Sequence, residues 1–348
     1  MNNQKNINPQ NTLILSQIEP KFSNESTEAI LPPNETEALN LLNEGKAYYN
    51  QARYKEAGSL FLRAIEACGA SCSISNGAPN KILMAKLSYN ISFAYQKLGQ
   101  HENANNSCEN AILLNPNDVD ACSMMHYNKG FALFFLKKYQ QSAISFNEAI
   151  HLKSKDSKIQ DKEFCAHAWQ NLAVALNSLR DLDAAASACD KAIELKQSDK
   201  IFCANNYYNK GTILLRNKEY TSAIFAFDAA LKRFPQVDIE LRSHALNNKG
   251  VALFKLHNCE KAFKLFKESC TLNPKFLLAS TNKDTIKEYL PENHNEIEQN
   301  ATEHSENNRL ETKPQIPIQQ DSCRESRIID SPDHMRFLIG DDLDFDGL

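Results

Sequence analysis

"YYNKGTILL", residues 207–215, has the apolar spacing of a helix, yet Asn209 and Gly211 are among the poorest helix formers. The same Asn-Lys-Gly triplet recurs as Asn128-Lys129-Gly130 and Asn248-Lys249-Gly250, each time ahead of an apolar run. A triplet that opposes its own helix three times over points to a repeated structural requirement.

Aligning the chain on these glycines exposes a period. With Gly45, Ser92, Gly130, Ala173, Gly211 and Gly250 placed at position 8, six repeats begin at Ala38, Ala85, Ser123, Ala166, Ala204 and Ser243. Position 20 is then always small: Ala57, Ala104, Ser142, Ala185, Ala223 and Ala262. Position 27 is small as well: Ala64, Ala111, Ala149, Ala192, Ala230 and Ser269. Position 24 is larger, with Phe61, Cys108, Phe146, Cys189, Phe227 and Phe266, and Pro116, Pro235 and Pro274 fall at position 32. Small residues at 8, 20 and 27 let two antiparallel helices approach closely, the side chain at 24 fills the space beside them, and proline stops the second helix. The starts are spaced by 47, 38, 43, 38 and 39 residues, so helices or loops between repeats are long. The stretch Gly69 to Gly77 reads as a loop by composition.

These columns resemble the tetratricopeptide repeat, a 34-residue helix-turn-helix, over residues 38–276. The resemblance implies an all-α fold: a right-handed superhelical solenoid of six helix-turn-helix units spanning 38–290, closed by a capping helix over 276–290 with Leu277, Leu278 and Ile286 on its apolar face. Residues 1–37 and 291–348 are rich in Asn, Gln, Glu and Ser and read as disordered.

Composition narrows the function. The chain has 348 residues, 42% of them hydrophobic, but no run long enough to cross a membrane, and the Leu13-Ile14-Leu15 run is too short for a signal-peptide core. The expectation is a soluble, cytoplasmic protein without a membrane partner. Ten cysteines without CxxC pairs read as reduced core residues, and the nine histidines lack metal-ligand spacing. No Gly-rich phosphate loop or nucleophile-base set appears, so neither a cofactor nor catalysis is expected. The formal charge of −4 divides unevenly: 38–290 hold 32 Lys/Arg against 24 Asp/Glu, and 291–348 hold 5 against 14. A basic excess this diffuse, without Arg/aromatic clusters, does not point to nucleic acid.

Position 6 faces away from the partner helix, yet every repeat has asparagine there: Asn43, Asn90, Asn128, Asn171, Asn209 and Asn248. Its amide both donates and accepts, so a row of six can hold the backbone of an extended peptide; alternatively, each can bridge neighbouring helices. The first arrangement is similar to the asparagine ladder in the grooves of Pins/LGN-type and kinesin light chain repeat domains. Flanking positions would then read side chains. Tyr89, Tyr127 and Tyr208 stand at position 5, Phe93 and Phe131 at 9, Lys86 and His167 at 2, and Lys97, Arg216 and Lys255 at 13. An aromatic middle with basic edges fits an extended, apolar and acidic peptide, although the tyrosines can equally pack between helices. The family's carboxylate clamp for chaperone tails is not matched, because Leu42, Lys46, Met124 and Asn128 stand at its other positions and only Asn90 agrees.

The segment "FLIGDDLDFDGL", residues 337–348, has the apolar-acidic character this groove favours, and residues 291–336, read as a coil, span about 35–40 Å. Intramolecular docking of 337–348 is therefore expected as one possibility, a solvated tail or a motif for an outside protein as another. The reading is a protein-binding scaffold or adaptor. A secreted bacterial effector acting on host proteins and a regulatory domain of an enzyme complex are the alternatives.

Overall fold

A computed structural model describes residues 33–75, 80–155 and 161–290, and every element among them is helical. The first repeat pairs α1 (Pro33–Asn50) with α2 (Tyr54–Ser75), and the second pairs α3 (Lys81–Lys97) with α4 (His101–Leu114). The third and fourth pair α5 (Val119–Phe135) with α6 (Tyr139–Lys155) and α7 (Lys162–Ser178) with α8 (Leu182–Leu195). The fifth and sixth pair α9 (Lys200–Arg216) with α10 (Tyr220–Leu231) and α11 (Ile239–Lys255) with α12 (Cys259–Leu272). The cap is α13 (Leu277–Ile286), followed by one 3-10 turn, Lys287–Tyr289.

The chain forms two compact parts, one ending at Asp199 and one starting at Lys200. In the N-terminal part α2, α4 and α6 each pack on their own first helix and on the next, α8 packs on α7, and α1, α3, α5 and α7 touch in succession. In the C-terminal part α9 lies beside α11, and α12 packs on α13.

Local chemistry sets the helix ends. Asn80, Asp118, Asp161, Asp181 and Asp238 cap α3, α5, α7, α8 and α11, each side-chain oxygen accepting a backbone N–H three residues on, at 3.0 to 3.3 Å. The three prolines at position 32 stand just beyond the ends of α4, α10 and α12. At the turn inside every repeat, position 15 is left-handed: Ala52, Gly99, Lys137, Arg180, Lys218 and His257 have φ between 59° and 71°. The next N–H then reaches the carbonyl five residues back, as in Gln100 N to Tyr95 O at 2.8 Å and Lys138 N to Leu133 O at 2.9 Å.

The small columns are buried throughout, with all six residues at position 20 fully inaccessible. A Cβ on Gly45, Gly130, Gly211 or Gly250 would meet the ring of Phe61, Phe146, Phe227 or Phe266, respectively, at 2.5 to 2.8 Å. Where position 8 carries a Cβ, as Ser92 and Ala173 do, position 24 is Cys108 or Cys189. The two columns thus share one volume, divided as glycine with phenylalanine or as a small side chain with cysteine.

The expected loop at 69–77 is instead largely helix, since α2 continues to Ser75. From Ala70 to Ser75, where the helix ends, the residues are Ala, Ser, Cys and Ile, all of which a helix tolerates, and a Cβ on Gly69 would meet nothing within 4 Å. The extra length of the first and third repeats lies mainly in their second helices, 22 and 17 residues against 12 to 14 in the others. Residues 33–37, expected to belong to the disordered N-terminal segment, instead form the start of α1. The segment 1–32 and the tail from 291 fall outside the described residues, and with them the rest of the expected disorder and the docking by 337–348.

Candidate functional site

Four of the six position-6 asparagines are buried, and their amide nitrogens are engaged inside the protein. Asn171 donates to the Tyr127 hydroxyl at 2.8 Å, and Asn248 to the Tyr208 hydroxyl at 3.4 Å, so position 6 of one repeat binds position 5 of the repeat before it. Asn128 donates to Ser92 Oγ at 2.9 Å, and Asn90 to the Lys86 carbonyl at 2.6 Å. Asn43 is exposed and Asn209 half-buried.

In the C-terminal part these bonds join into a chain. Asn282 of α13 donates to Asn247 at 2.8 Å, Asn247 donates to Asn248 at 3.2 Å, and Asn248 reaches Tyr208 of α9. Three helices are thereby linked by side-chain polar groups, and the two asparagine–asparagine bonds among them are buried.

The aromatic residues divide similarly. Tyr127 is 1% exposed, its ring lies 5.7 Å from that of Phe146, and burial raises its pKa, against the opposing bond from Asn171. Tyr89 and Phe93 touch ring to ring at 5.1 Å, and Phe131 rests on Phe135 at 4.7 Å. Tyr208 is half-buried, 6.0 Å from Phe227.

His167, expected at a groove edge, is 2% exposed. Burial lowers its pKa, as does Lys196, whose ammonium stands 3.4 Å from Nε2 and is held by Glu163 at 2.9 Å and Asp199 at 3.3 Å. Lys97 is exposed, while Arg216 and Lys255 are half-buried in the C-terminal part. Burial lowers the pKa of Lys97; burial, and then Lys218, lowers that of Lys255.

One crevice lies beside this row, where α3, α4 and α5 converge. Its walls are Ala85, Ala111, Ile112, Ala121, Cys122 and Met125, with Tyr89, Lys86, Asn115 and Asp118 at the polar side. Asp118 is engaged in capping α5, and the Cys122 thiol donates to the Asn115 carbonyl at 3.4 Å. Lys86, in contrast, is exposed at the rim. Lys86 and Tyr89 were legible from repeat position, but the α5 wall was not, because Ala121 and Cys122 precede the repeat's first position.

Among the described residues no group of His, Cys, Asp and Glu is arranged to hold a metal ion, and no helix is long and apolar enough to cross a membrane. Cys68, Cys108, Cys122, Cys165, Cys189 and Cys203 are buried, and burial pushes the Cys108 thiol up to about 12.

Helix pairs packed in succession within each part, each closed by the same turn, define a helical repeat protein. The tetratricopeptide repeat family matches residues 85–118, 166–199 and 207–275, and the first two segments start at the Ala85 and Ala166 of the alignment above. The chain is a tetratricopeptide repeat protein. No curated protein matches it. Among solved structures, PilF of Pseudomonas aeruginosa is 14% identical, over 74% of this chain and 100% of its own, with a TM-score of 0.50. The apo form of RapI is 12% identical, over 76% of this chain and 85% of its own, with a TM-score of 0.53. YrrB, described as a TPR protein with an unusual peptide-binding site, is 18% identical over 63% of this chain and 99% of its own, at a TM-score of 0.47. At these identities the likeness is one of fold.

Proposed function

We propose that the chain is a non-catalytic protein-interaction scaffold, which holds an extended, apolar and acidic segment of another protein along its first helices. The observation that carries this reading is the crevice between α3 and α5. Its floor of Ala121, Cys122 and Met125 is apolar and shallow, with Met125 only 1% exposed, so it receives the tip of one side chain, and the exposed Lys86 ammonium stands at its rim for a neighbouring carboxylate. Lys97, exposed at the end of α3, adds a second cation along the same helix, whereas Phe93 and Phe131, expected to read side chains, are buried and pack inside the repeats.

In this reading the asparagines have two roles. Asn43 and Asn209 would meet a peptide backbone, each within its own part of the chain, whereas Asn128, Asn171 and Asn248 bond to neighbouring helices and Asn90 to a carbonyl of its own helix. The segment 337–348 has the same apolar-acidic chemistry as the proposed ligand.

A peptide-display screen with the full chain tests this, run beside Lys86→Glu and Ala121→Leu. The expected result is enrichment of apolar-acidic peptides by the wild type and their loss from both variants at unchanged helix content. An identical peptide set from all three proteins would overturn the reading.

A further inference from the structure

The basic excess of residues 38–290 is not spread evenly. Residues 38–199 hold 17 Lys/Arg against 16 Asp/Glu, whereas residues 200–290 hold 15 against 8. The positive charge therefore resides in the C-terminal part, which leads directly into the 291–348 tail with its 5 basic and 14 acidic residues. Four of those acids, Asp341, Asp342, Asp344 and Asp346, fall within the last eight residues, among Leu343, Phe345 and Leu348.

The C-terminal part presents a surface of matching chemistry at one end of its first helices. Lys255 closes α11, next to Phe254 and to Leu256, which is 43% exposed. Phe254 packs on Tyr289 of the closing 3-10 turn, ring centroids 5.3 Å apart. Lys218, in the turn after α9, is exposed, and its charge is felt by Lys255. Two ammonium groups, one of them half-buried, repel each other and favour an anion beside them. Apolar surface at Leu256 and Phe254 adjoins them.

We propose that the chain's own segment 337–348 docks on this surface, its aspartates against Lys218 and Lys255 and its leucine and phenylalanine side chains against Phe254, Leu256 and Tyr289. The occupant is chosen by charge and by connectivity. The most acidic stretch of the chain is tethered through 291–336 to its most basic part, and a tether of this length holds a ligand at about millimolar local concentration. The N-terminal part, almost balanced in charge, offers no comparable attraction. Docking would cover Lys255 until an outside segment displaced the tail. This inference takes from the functional reading only that the first-helix surface accepts apolar-acidic segments.

The test is a titration of a labelled peptide of residues 337–348 into the full chain and into a chain ending at Arg336, followed by fluorescence anisotropy. The expected result is saturable, salt-weakened binding to the shortened chain and at least about tenfold weaker binding to the full chain, whose site is occupied. A Lys218→Glu/Lys255→Glu variant of the shortened chain should lose about tenfold or more through like-charge repulsion, and so should a peptide with Asp341, Asp342 and Asp344 changed to Asn. Lys86→Glu should change nothing. Equal binding by the full and shortened chains, or no saturable binding, would overturn the proposal. Loss on Lys86→Glu but not on the double reversal would move the tail to the α3 crevice, overturning this inference while leaving the scaffold reading intact.

Discussion

Gly130 and Phe146 occupy one volume: a Cβ on the glycine would stand 2.8 Å from Cδ1 of the ring, closer than carbon atoms in a packed core approach. The third repeat can therefore keep its large side chain at position 24 only by having none at position 8. Gly130→Ala should cost about 1–3 kcal/mol through overpacking. Phe146→Cys alone should cost more, by leaving a cavity. The double variant restores the combination present at Ala173 and Cys189, and its loss should be clearly smaller than the sum of the two. Denaturant unfolding of the four proteins measures that coupling, and strict additivity would contradict it.

The left-handed residue at each intra-repeat turn carries a Cβ in five cases of six. Arg180→Gly or Lys137→Gly should raise stability by about 1 kcal/mol, since both residues are held at a φ that L side chains avoid. Gly99→Ala should lower it by a similar amount. Thermal unfolding decides, and an unchanged midpoint for all three variants would show that the turns relax freely.

Tyr127→Phe should destabilise by about 1–3 kcal/mol, because the buried Asn171 amide loses its acceptor without gaining water. Tyr208→Phe should cost less, since its bond to Asn248 is 3.4 Å long and the tyrosine is half-buried. Pairing Tyr127→Phe with Asn171→Leu removes both polar groups and should recover part of the loss.

His101, His126 and His167 have pKa values lowered from 6.5, each chiefly by burial. The unfolded chain therefore takes up protons before the folded one does. The stability they confer is complete above about pH 6.5 and declines as pH falls from there towards their folded values. For His167 the surrounding charges are Lys196, Glu163, Asp199 and Asp161, with Lys196 acting in the same direction as burial. Stability measured between pH 7.5 and 5 should fall, and His167→Gln should flatten the slope; an unaltered slope would contradict the assignment.

The helical repeat was legible because its signal is steric and local. Six small residues at position 20 and six at position 27 are visible in any alignment of the chain with itself, and all twelve are buried. The turn was not legible, since Lys137, Arg180 and Lys218 carry no compositional mark of a left-handed conformation, which hydrogen bonding imposes on them. Position 6 was seen correctly as invariant, but its amides have two possible partners, a peptide backbone or a neighbouring helix. Only the placement of the Tyr127 and Tyr208 hydroxyls shows which one Asn171 and Asn248 contact. The α5 wall of the crevice escaped because Ala121 and Cys122 belong to no repeated column.

The most direct test of the scaffold reading uses the methionine methyl groups. The chain has five methionines, so each gives a resolvable signal, and Met125 lines the crevice. On adding the peptide most enriched by display, the Met125 methyl resonance should shift saturably, and Lys86→Glu should abolish that shift. Saturable peptide binding that leaves Met125 unmoved would place the ligand elsewhere and contradict the account.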